Sequence, residues 1–519
     1  MPDLLTSYAQ SQPDKPAVID DRGSGEPVRW TYRELEERSN RLANALISLG
    51  VGPGEKVIWC GPNSPQIVAA VGATRKIGAV SVPLNYRLTA DEAQYVIGHS
   101  DASVAYVDAE HAPMFAALRD RLDRLKHVIV FGGEAPAGML GEDFVDAAPA
   151  DPPADPAEDA GAATMIFTSG TTGKPKGAVR TTRAAAEATL IGLIVLIGYT
   201  PDDVYLTSGP LYHSGPWGFM GGALALGQTV VLQRKFDPED WLRLVDTYQV
   251  SSTFAAPAPI RMVCALPAEV KARYNRSSMK RMIANAAPWS FALKQQYLAD
   301  FPEDSLWEVY GSTELGVNCV LEPKDQLRKP GSCGKPAPEV EIRLLDEAGD
   351  EVTGTGPDHP GELFARSTAV FDEYYKQRDS YDSARRGDFY TVGDIAYRDE
   401  EGYLYICDRK SDMIISGGMN VYPAEIEAAL EQHPAVYEVA VFGIPSEEWG
   451  EAVHATVVVA PGSSLSEADI MAYGREHLAG YKVPRSIAFA SELPRTGSGK
   501  LLMRELRAPY WAGHAKQVG

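Results

Sequence analysis

The sequence describes a long, acidic protein of ordinary globular composition. Its 519 residues are enough for more than one hydrophobic core, and contents of 45% hydrophobic and 23% charged residues exclude a wholly disordered chain. A formal net charge of −21 argues against a broad nucleic-acid or anionic-membrane footprint, although a local basic patch can still hold a small anion. We therefore expect no nucleic-acid partner.

Cysteine usage and the absence of targeting patterns predict a cytoplasmic protein. The five cysteines are scattered and form no Cys-x-x-Cys pair, which is typical of buried thiols in a reducing compartment. The N-terminus lacks a basic region followed by an apolar core, so no signal peptide is expected. The most apolar helix candidate, Leu190–Tyr199, has about half the length of a membrane span, so no transmembrane segment is expected.

Helix and strand patterns alternate from residue 30 onward. Two capping boxes, Thr31 with Glu34 and Thr89 with Glu92, predict helix starts, and the short apolar runs Lys56–Cys60 and Val104–Val107 predict strands. Such alternation predicts a largely parallel sheet covered on both faces. Residues 133–160, rich in Ala, Pro, Gly and acidic residues, interrupt the alternation and predict a mobile surface connection.

The alternation of helix and strand patterns resumes after residue 163, and the pattern then changes near residue 330 and again near residue 408. Strands are predicted at Tyr205–Thr207, Gln228–Leu232 and Ser251–Ala255, with helices from Pro216 and Pro238. Near residue 330 shorter strands between Gly and Pro turns predict a small β subdomain, and beyond a boundary near Asp408–Asp412 the pattern is that of a compact α+β domain. We predict a large α/β N-terminal domain, residues 1–408, with layered parallel-rich sheets and the small β subdomain, followed by a small α+β C-terminal domain, residues 409–519.

A glycine-rich stretch from Thr168 to Gly177 follows the predicted strand Ala163–Phe167. Its glycines allow close backbone approach, while its hydroxyls, Lys174 and Lys176 supply donors and charge, so it predicts a phosphate-binding loop. It is not a Walker A loop, because Pro175 follows the lysine where that motif needs a hydroxyl. By composition alone the stretch is also compatible with a flexible hairpin turn.

Two further segments place polar groups beside predicted strands or turns. Tyr310–Glu314 follows the apolar run Leu306–Val309 and offers an aromatic plate, hydroxyls and a carboxylate where open α/β sheets bind ligands. Its structural alternative is a capped helix start with an acid in the first turn. Asp394 ends Thr391–Asp394, which by itself is a commonplace turn.

The C-terminal region carries an uneven charge distribution. Residues 412–473 contain no Lys or Arg, and a run of cations then follows: Arg475, Lys482, Arg485, Arg495, Lys500, Arg504 and Arg507. This clustering is compatible with a solvated basic face or with a site for a phosphate-bearing ligand.

These segments together resemble the adenylate-forming enzymes, the family of acyl-CoA synthetases, adenylation domains and firefly luciferase. The resemblance covers about residues 160–505 in the family's order, although Ala286 and Ala287 stand where glycine is more usual, and Ser411 where Asp or Lys is. It implies a hinge near Ser411, a mobile small domain that carries the catalytic Lys500, and a large domain that binds ATP and the acyl group. Residues implied to bind ATP are Thr168, Ser169, Gly170, Thr171, Thr172, Gly173, Lys174, Lys176, Ala286, Ala287, Pro288, Tyr310, Gly311, Asp394 and Arg409. Residues implied to be catalytic are Lys500, Glu314, Thr313 and His213, of which Thr313 would contact the α-phosphate and Glu314 would also hold Mg²⁺.

The resemblance also implies an acceptor and an acyl site. Residues that match coenzyme A contacts of acyl-CoA ligases are Gly417, Gly418, Trp449, Tyr481, Lys482 and Arg485. His213 matches a histidine beside the carboxylate, and Trp217, Phe219, Phe254 and Trp289 either line an apolar pocket or belong to the core. The expected cofactors and substrates are therefore ATP, Mg²⁺, coenzyme A and a hydrophobic carboxylic acid, medium-to-long fatty or bulky cyclic.

Three alternatives follow from the same residues. An adenylating enzyme that passes the acyl group to a carrier protein or an amine is the nearest one, although no carrier pattern Leu-Gly-Gly-x-Ser occurs in the chain. A non-catalytic nucleotide-binding protein would leave Lys500 and Glu314 without a use. A serine hydrolase or zinc enzyme is disfavoured because Gly-x-Ser-x-Gly and His-Glu-x-x-His are absent. The sequence leaves open whether the protein is a homodimer.

Overall fold

A computed structural model of the chain shows a large N-terminal domain and a smaller C-terminal one. The described residues are 3–154, 163–168, 175–181, 184–285, 287, 289–410, 412–416, 419–495 and 501–512. Three sheets belong to the large domain and a fourth to the small one. The predicted fold class, a large α/β domain with a small β subdomain followed by a small α+β domain, is confirmed.

The helices and strands follow one another in a regular order. The first part of the chain forms α1 (Leu4–Ser11), β1 (Pro16–Asp20), β2 (Val28–Thr31), α2 (Tyr32–Ser48), β3 (Lys56–Cys60), α3 (Pro65–Lys76), β4 (Val80–Leu84), α4 (Ala90–Ser100), β5 (Val104–Asp108), α5 (Ala112–Leu118), β6 (His127–Phe131) and α6 (Glu142–Asp146). The next part forms β7 (Ala163–Thr168), β8 (Lys176–Thr181), α7 (Ala184–Ile197), β9 (Val204–Thr207), α8 (Ser214–Ala225), β10 (Thr229–Leu232), α9 (Pro238–Tyr248), β11 (Ser252–Ala255), α10 (Pro257–Cys264), α11 (Ala268–Lys271), β12 (Arg281–Ala284), α12 (Phe291–Asp300), β13 (Leu306–Ser312) and β14 (Gly316–Leu321).

Shorter strands follow, as the change in composition near residue 330 predicts. They are β15 (Lys335–Pro336), β16 (Glu341–Leu345), β17 (Gly361–Arg366), β18 (Glu373–Tyr374), α13 (Arg378–Ser383), β19 (Arg385–Arg386), β20 (Phe389–Tyr390), β21 (Asp394–Arg398) and β22 (Leu404–Arg409). The small domain contains β23 (Ile414–Ser416), β24 (Met419–Val421), α14 (Pro423–Leu430), β25 (Val436–Ser446), β26 (Gly450–Val459), α15 (Glu467–His477), β27 (Ser486–Phe489) and α16 (Met503–Trp511). Single 3₁₀ turns lie at Arg119–Arg121 and Pro323–Asp325.

Both predicted capping boxes are present. The Thr31 hydroxyl accepts from the Glu34 amide at 3.3 Å, and the Glu34 carboxylate accepts from the Thr31 amide at 2.8 Å. Thr89 and Glu92 form the same pair at the start of α4. Because each box satisfies orphan donors of the first helical turn, the starts of α2 and α4 are set by local sequence.

The two large sheets are parallel inside, with antiparallel pairs at both edges of the nine-stranded sheet and at the β18 edge of the seven-stranded one. The seven-stranded sheet has the order β18-β8-β7-β4-β3-β5-β6, and the nine-stranded sheet has the order β15-β14-β13-β12-β11-β9-β10-β1-β2. Parallel pairing runs through the interior of each, whereas β7 pairs with β8, and β13 with β14, in antiparallel fashion. The structure therefore has two mixed sheets where the sequence predicted one largely parallel sheet.

A shared core holds these two sheets together. Trp59 of β3 packs edge-on against Trp217 of α8, with ring centroids 5.5 Å apart, and both side chains are buried. The Tyr32 hydroxyl, buried at the start of α2, donates to the carbonyl of Gln228 at 2.7 Å, just before β10. Contacts of this kind fix the relative position of the two sheets, and therefore of the loops at their edges.

The connection after residue 133 is held in place along the part that the structure describes. Arg41 of α2 donates to the carbonyls of Asp146 and Ala148, at 2.7 and 2.6 Å, and Asn44 donates to those of Pro149 and Asp151, both at 2.9 Å. Residues 146–151 of the predicted surface connection are therefore anchored to α2, which the sequence did not predict. Composition alone missed it because the donors that satisfy these carbonyls lie about a hundred residues upstream.

The small domain packs its helices onto a five-stranded sheet. Its order is β24-β23-β26-β25, and β27 lies parallel to β26. The last helix, α16, docks through the Tyr510 hydroxyl, 3.0 Å from His454 Nε2, and through the Trp511 indole, which donates to the carbonyl of Gly443 at 2.9 Å. Among the described residues, no helix has the length and apolar character needed to cross a bilayer.

Candidate active site

Side chains from the two large sheets meet at Glu314. The Thr168 hydroxyl at the end of β7 and the Tyr374 hydroxyl of β18 both donate to Glu314 Oε1, each at 3.1 Å. Glu314 itself follows β13 and is 8% exposed. The glycine-rich stretch and the Tyr310–Glu314 segment, which lie 146 residues apart at this contact, therefore border one site.

The segment around Tyr310 is a β-hairpin. Tyr310, Gly311 and Ser312 are part of β13, which returns through Gly316 into β14, so the helix-start alternative is wrong. A Cβ atom at Gly311 would lie 2.0 Å from the carbonyl oxygen of Gly316, and only glycine permits this approach. The tight turn holds Glu314 toward Thr168.

The third sheet of the large domain, formed by β16, β17 and β19 to β22, contributes Asp394 and Arg409. The Tyr310 hydroxyl donates to Asp394 Oδ2 at 2.5 Å, and Arg409 Nε lies 3.3 Å from Asp394 Oδ1. Burial and the neighbouring Asp394 carboxylate raise the pKa of Tyr310 well above its ordinary value, so the phenol stays protonated and donates. An aromatic ring, a carboxylate and a guanidinium thus lie side by side.

Two residues that the sequence did not single out support this site. Arg180 of β8 is half-buried, and its guanidinium donates to the carbonyl of Thr313 at 2.6 Å. Burial lowers the pKa of Arg180, an effect opposed by the nearby carboxylates of Glu314 and Asp372. The Ser214 hydroxyl lies 2.8 Å from that of Thr313 and joins the His213 segment to the hairpin. A lone arginine inside a strand gives no sequence signal of this role.

His213 is buried beside Tyr212 and is uncharged at neutral pH. Their ring centroids are 4.4 Å apart, and His213 Nε2 has no hydrogen-bond partner among the described residues. Burial, aided by the charge of Arg87, lowers the pKa of His213 to about 4. The neutral imidazole can donate or accept a hydrogen bond but adds no positive charge.

The four aromatic candidates for an acyl pocket divide into two groups. Trp289 packs edge-on against Tyr297 in the core outside the nine-stranded sheet, and Trp217 packs against Trp59 between the sheets, so both are core residues. Phe219 and Phe254 stack on each other with centroids 5.2 Å apart, and Phe219 is only half-buried. A Cβ atom at Gly215 would lie 2.3 Å from the Phe254 ring, so this glycine lets α8 approach it closely.

The glycine-rich stretch joins two antiparallel strands. Thr168 of β7 pairs in register with Lys176 of β8, so the connection has hairpin topology, and Lys176 Nζ lies 5.2 Å above the Tyr374 ring. The predicted ligands between these strands lie outside the described residues: Ser169, Gly170, Thr171, Thr172, Gly173 and Lys174. The same holds for Ala286, Pro288, Ser411, Gly417, Gly418 and Lys500, whereas Ala287 is described and half-buried.

The residues predicted to contact coenzyme A are partly engaged within the small domain. The Arg485 guanidinium lies 5.2 Å above the Trp449 ring, and Lys482 pairs with Glu425 at 2.6 Å, beside Tyr481. Two other cations of the basic run are also paired, Arg495 with Glu438 and Arg507 with Asp412, both at 3.0 Å. Several cations of this basic run are therefore already neutralised by acidic neighbours within the small domain.

The donor set around Glu314 fits Mg²⁺. Within the part of the chain that the structure describes, no group of three or more His, Cys, Asp or Glu side chains could hold a metal by itself. Mg²⁺ is commonly held by one or two carboxylates together with substrate phosphates and water, and Glu314 with the Thr168 hydroxyl offers such hard oxygen atoms.

Family models match most of the chain and define its class. The model of the AMP-binding enzyme family matches residues 5–375, and that of the AMP-binding enzyme C-terminal domain matches residues 425–500. The chain therefore belongs to the AMP-binding, adenylate-forming enzymes, and the resemblance is confirmed, as is the predicted enzyme class of acid–thiol ligase.

Similar proteins with stated activities cover nearly the whole length. Feruloyl-CoA synthase of Amycolatopsis sp is 36% identical over 92% of this chain and 94% of its own. The structure of the anthranilate CoA ligase AuaEII in complex with anthranoyl-AMP has a TM-score of 0.86 at 25% identity, covering 98% of this chain and 96% of that one. ATP-bound MatB from Rhodopseudomonas palustris has a TM-score of 0.85 at 28% identity, covering 98% of both chains.

Proposed function

We propose that this protein is an ATP-dependent acyl-CoA synthetase that acts on a hydrophobic carboxylic acid. In the first step a carboxylate oxygen attacks the α-phosphorus of ATP, and pyrophosphate leaves. In the second step the thiolate of coenzyme A attacks the acyl carbon, and AMP leaves with the bonding electron pair. The observation that carries the proposal is the meeting of Thr168, Glu314 and Tyr374 from the two large sheets, adjoined through Tyr310 by Asp394 of the third.

Each described side chain has a role in the first step. Tyr310 would offer its ring to adenine, Asp394 and Arg409 would hold the ribose, and Thr313 would contact the α-phosphate. The Glu314 carboxylate would hold Mg²⁺, which neutralises phosphate charge when bound. Arg180, bonded to the Thr313 carbonyl at 2.6 Å, would fix the peptide that places Thr313 and Glu314.

The acyl end of the site is proposed to lie along the start of α8. Neutral His213, with its buried Nε2, would donate a hydrogen bond to the carboxylate, and Phe219 with Phe254 would contact the apolar chain or ring. A neutral donor orients the carboxylate without pairing with its charge, so the oxygen keeps its nucleophilicity. The acid class is a medium-to-long fatty acid or a bulky cyclic acid.

The two domains would divide the reaction between them, and the small domain would supply the coenzyme A site. Residues 1–408 would bind ATP and the acid, and residues 409–519, which begin at the hinge near Ser411, would carry Lys500 to the phosphates. Gly417, Gly418, Trp449, Tyr481, Lys482 and Arg485 would contact coenzyme A. The stacked Arg485 and Trp449 support this assignment, because guanidinium and indole groups suit phosphate and adenine. The enzyme would work in the cytoplasm, where ATP and reduced thiols are available.

A panel of carboxylic acids tests the reaction. We expect AMP and pyrophosphate to form with a hydrophobic acid and to be accompanied by a thioester when coenzyme A is present. Lys500→Ala should retain ATP binding and lose adenylation, because the charge that builds on the α-phosphate loses its neutralising partner. AMP formation with no thioester product would instead favour transfer to a carrier protein or an amine, and full activity of the Lys500→Ala variant would remove Lys500 from the mechanism.

A further inference from the structure

One arginine of the large domain reaches into the small domain. Arg261 of α10 donates to the carbonyl of Tyr437 at 2.5 Å, and its guanidinium lies 3.5 Å from Glu438 and 3.9 Å from Glu431. Its side chain is 15% exposed and that of Glu438 is 12% exposed. The contact is thus largely withdrawn from water, unlike an ordinary surface ion pair.

Glu438 connects this contact to the segment that carries Lys500. Its Oε1 atom pairs with Arg495 at 3.0 Å, five residues before Lys500. Arg495 forms an isolated β-bridge with Leu501, and the Leu502 amide donates to the carbonyl of Pro494 at 2.9 Å. These bonds close the base of the segment, and Glu438 Oε1, which lies 3.5 Å from Arg261, links that base to the large domain.

Glu431 brings the contact close to the predicted adenine border. It follows α14, and its pKa is influenced by Ser290, which caps the start of α12 two residues after Pro288. Burial raises the pKa of Glu431, and the charge of Arg261 opposes this shift. The interdomain contact therefore lies between the segment around Ala287 and the base of the Lys500 segment.

The orientation of the small domain matches that in nucleotide-bound relatives. Residues beyond 408 make up about a fifth of the chain, so TM-scores of 0.86 and 0.85 over 98% of it require that they superpose together with the rest. The two matched structures contain anthranoyl-AMP and ATP. The contact of Arg261 with Glu438 thus belongs to the arrangement in which ATP and the acyl adenylate are held.

We propose that Glu438, held by Arg261 across the domain boundary, is a positioning residue that sets the Lys500 segment for adenylation. This inference rests on the proposed function. Arg261 and Glu438 touch no reacting atom, and they act through Arg495 at the base of the segment. Transfer to coenzyme A, which by the family resemblance follows a rotation of the small domain, does not need the contact.

The two half-reactions measured separately test this role. Adenylation is followed by acid-dependent exchange of pyrophosphate into ATP, and thioester formation is followed from purified acyl adenylate and coenzyme A. We expect Arg261→Gln and Glu438→Gln each to slow adenylation about tenfold, with thioester formation within about twofold of the wild type. The double variant should lose less than the product of the two single losses, because both changes remove the shared contact between Arg261 and Glu438.

Two further variants separate positioning from folding. Arg273 pairs with Glu239 at 2.9 Å inside the large domain, so Arg273→Gln is a matched control that should leave both half-reactions unchanged. Arg261→Lys keeps the charge and should recover part of the adenylation rate.

Each outcome decides between the alternatives. Equal losses in both half-reactions, or no loss in either, would overturn the positioning role while leaving the proposed function intact. A wild-type enzyme without acid-dependent exchange would overturn the proposed function and this inference together.

Discussion

Two glutamates, one in each domain, lie in opposite surroundings: Glu314 is buried and Glu427 is half-buried. Glu314 of the large domain accepts hydrogen bonds from Thr168 and Tyr374 and lies near the charge of Arg180. Glu427 of the small domain accepts one bond, from the amide of Val441 at 2.8 Å, and its charged neighbours include Asp408, Asp412 and Glu431. Burial and these like charges raise the pKa of Glu427 to about 8.

The difference shows how surroundings assign a role to the same side chain. Around Glu314, two hydroxyl donors and the nearby Arg180 guanidinium surround oxygen atoms that can meet a positively charged ligand. Glu427 is instead held mainly as a neutral acid near pH 7, whereas burial raises the pKa of Asp408, at the junction of β22 with α14, to about 7. We therefore expect charge removal to be costly at the first glutamate and beneficial at the second.

The largest effect is expected for Glu314→Gln. Adenylation should fall by about 10² to 10³, because an amide cannot supply the charge that holds Mg²⁺ against the phosphates. The measurement is the rate of pyrophosphate exchange over a range of Mg²⁺ concentrations. Glu322→Gln, at a more exposed glutamate paired with Lys324, is the matched control. Wild-type activity of Glu314→Gln would remove the proposed metal role.

A smaller effect is expected for Arg180→Met. The variant removes the donor to the Thr313 carbonyl at 2.6 Å and the cation near Glu314, so adenylation should slow about tenfold. Exchange kinetics with varied ATP give kcat and KM separately. Arg180→Lys should recover part of the loss, and equal rates for Arg180→Met and the wild type would show that the arginine only fills space.

The smallest effect on activity, and a gain in stability, is expected for Glu427→Gln. Below the ordinary glutamate pKa of 4.5 the folded and unfolded states both hold the proton, and as the pH rises toward about 8 only the folded state keeps it. The contribution of this group to stability is therefore lost over that window. The amide never ionises, so the variant should be more stable by on the order of 1–2 kcal/mol near pH 8 and nearly neutral near pH 5.

Hydrogen exchange measures this gain locally. Peptides that cover α14 and β25 should exchange more slowly in Glu427→Gln than in the wild type near pH 8, with little difference near pH 5. Glu476→Gln, at an exposed position of α15, is the control. A variant that is less protected at both pH values would show that Glu427 is needed as an anion.

Local patterns predicted the elements well and their partners poorly. Thr31 and Glu34 fix a helix start within four residues, and Lys56–Cys60 forms the predicted strand, because these preferences depend on near neighbours. The antiparallel pairing of β13 with β14 was not predicted, and that of β7 with β8 was only an alternative for the glycine-rich stretch, because pairing depends on residues that meet only in the folded chain. Trp289, expected as either pocket or core, could be assigned only by its contact with Tyr297.

The candidate site was predictable where a motif is contiguous. Tyr310, Glu314 and Asp394 were found from short segments, and the structure brings them together. Arg180 and Ser214 were missed because each is a common residue whose use depends on a carbonyl or hydroxyl of Thr313 more than ninety residues away. Sequence reasoning thus finds groups that would touch a ligand more readily than groups that hold them in place.

The meeting of three sheets at one site has a consequence for synthesis. Thr168 meets a partner 146 residues further along the chain, and Tyr310 meets one 84 residues further along. A nascent chain leaving the ribosome with both large sheets complete would still lack the carboxylate of Asp394. The candidate site can therefore be completed only after the strands of the third sheet that contain Asp394 and Arg409 have been synthesised.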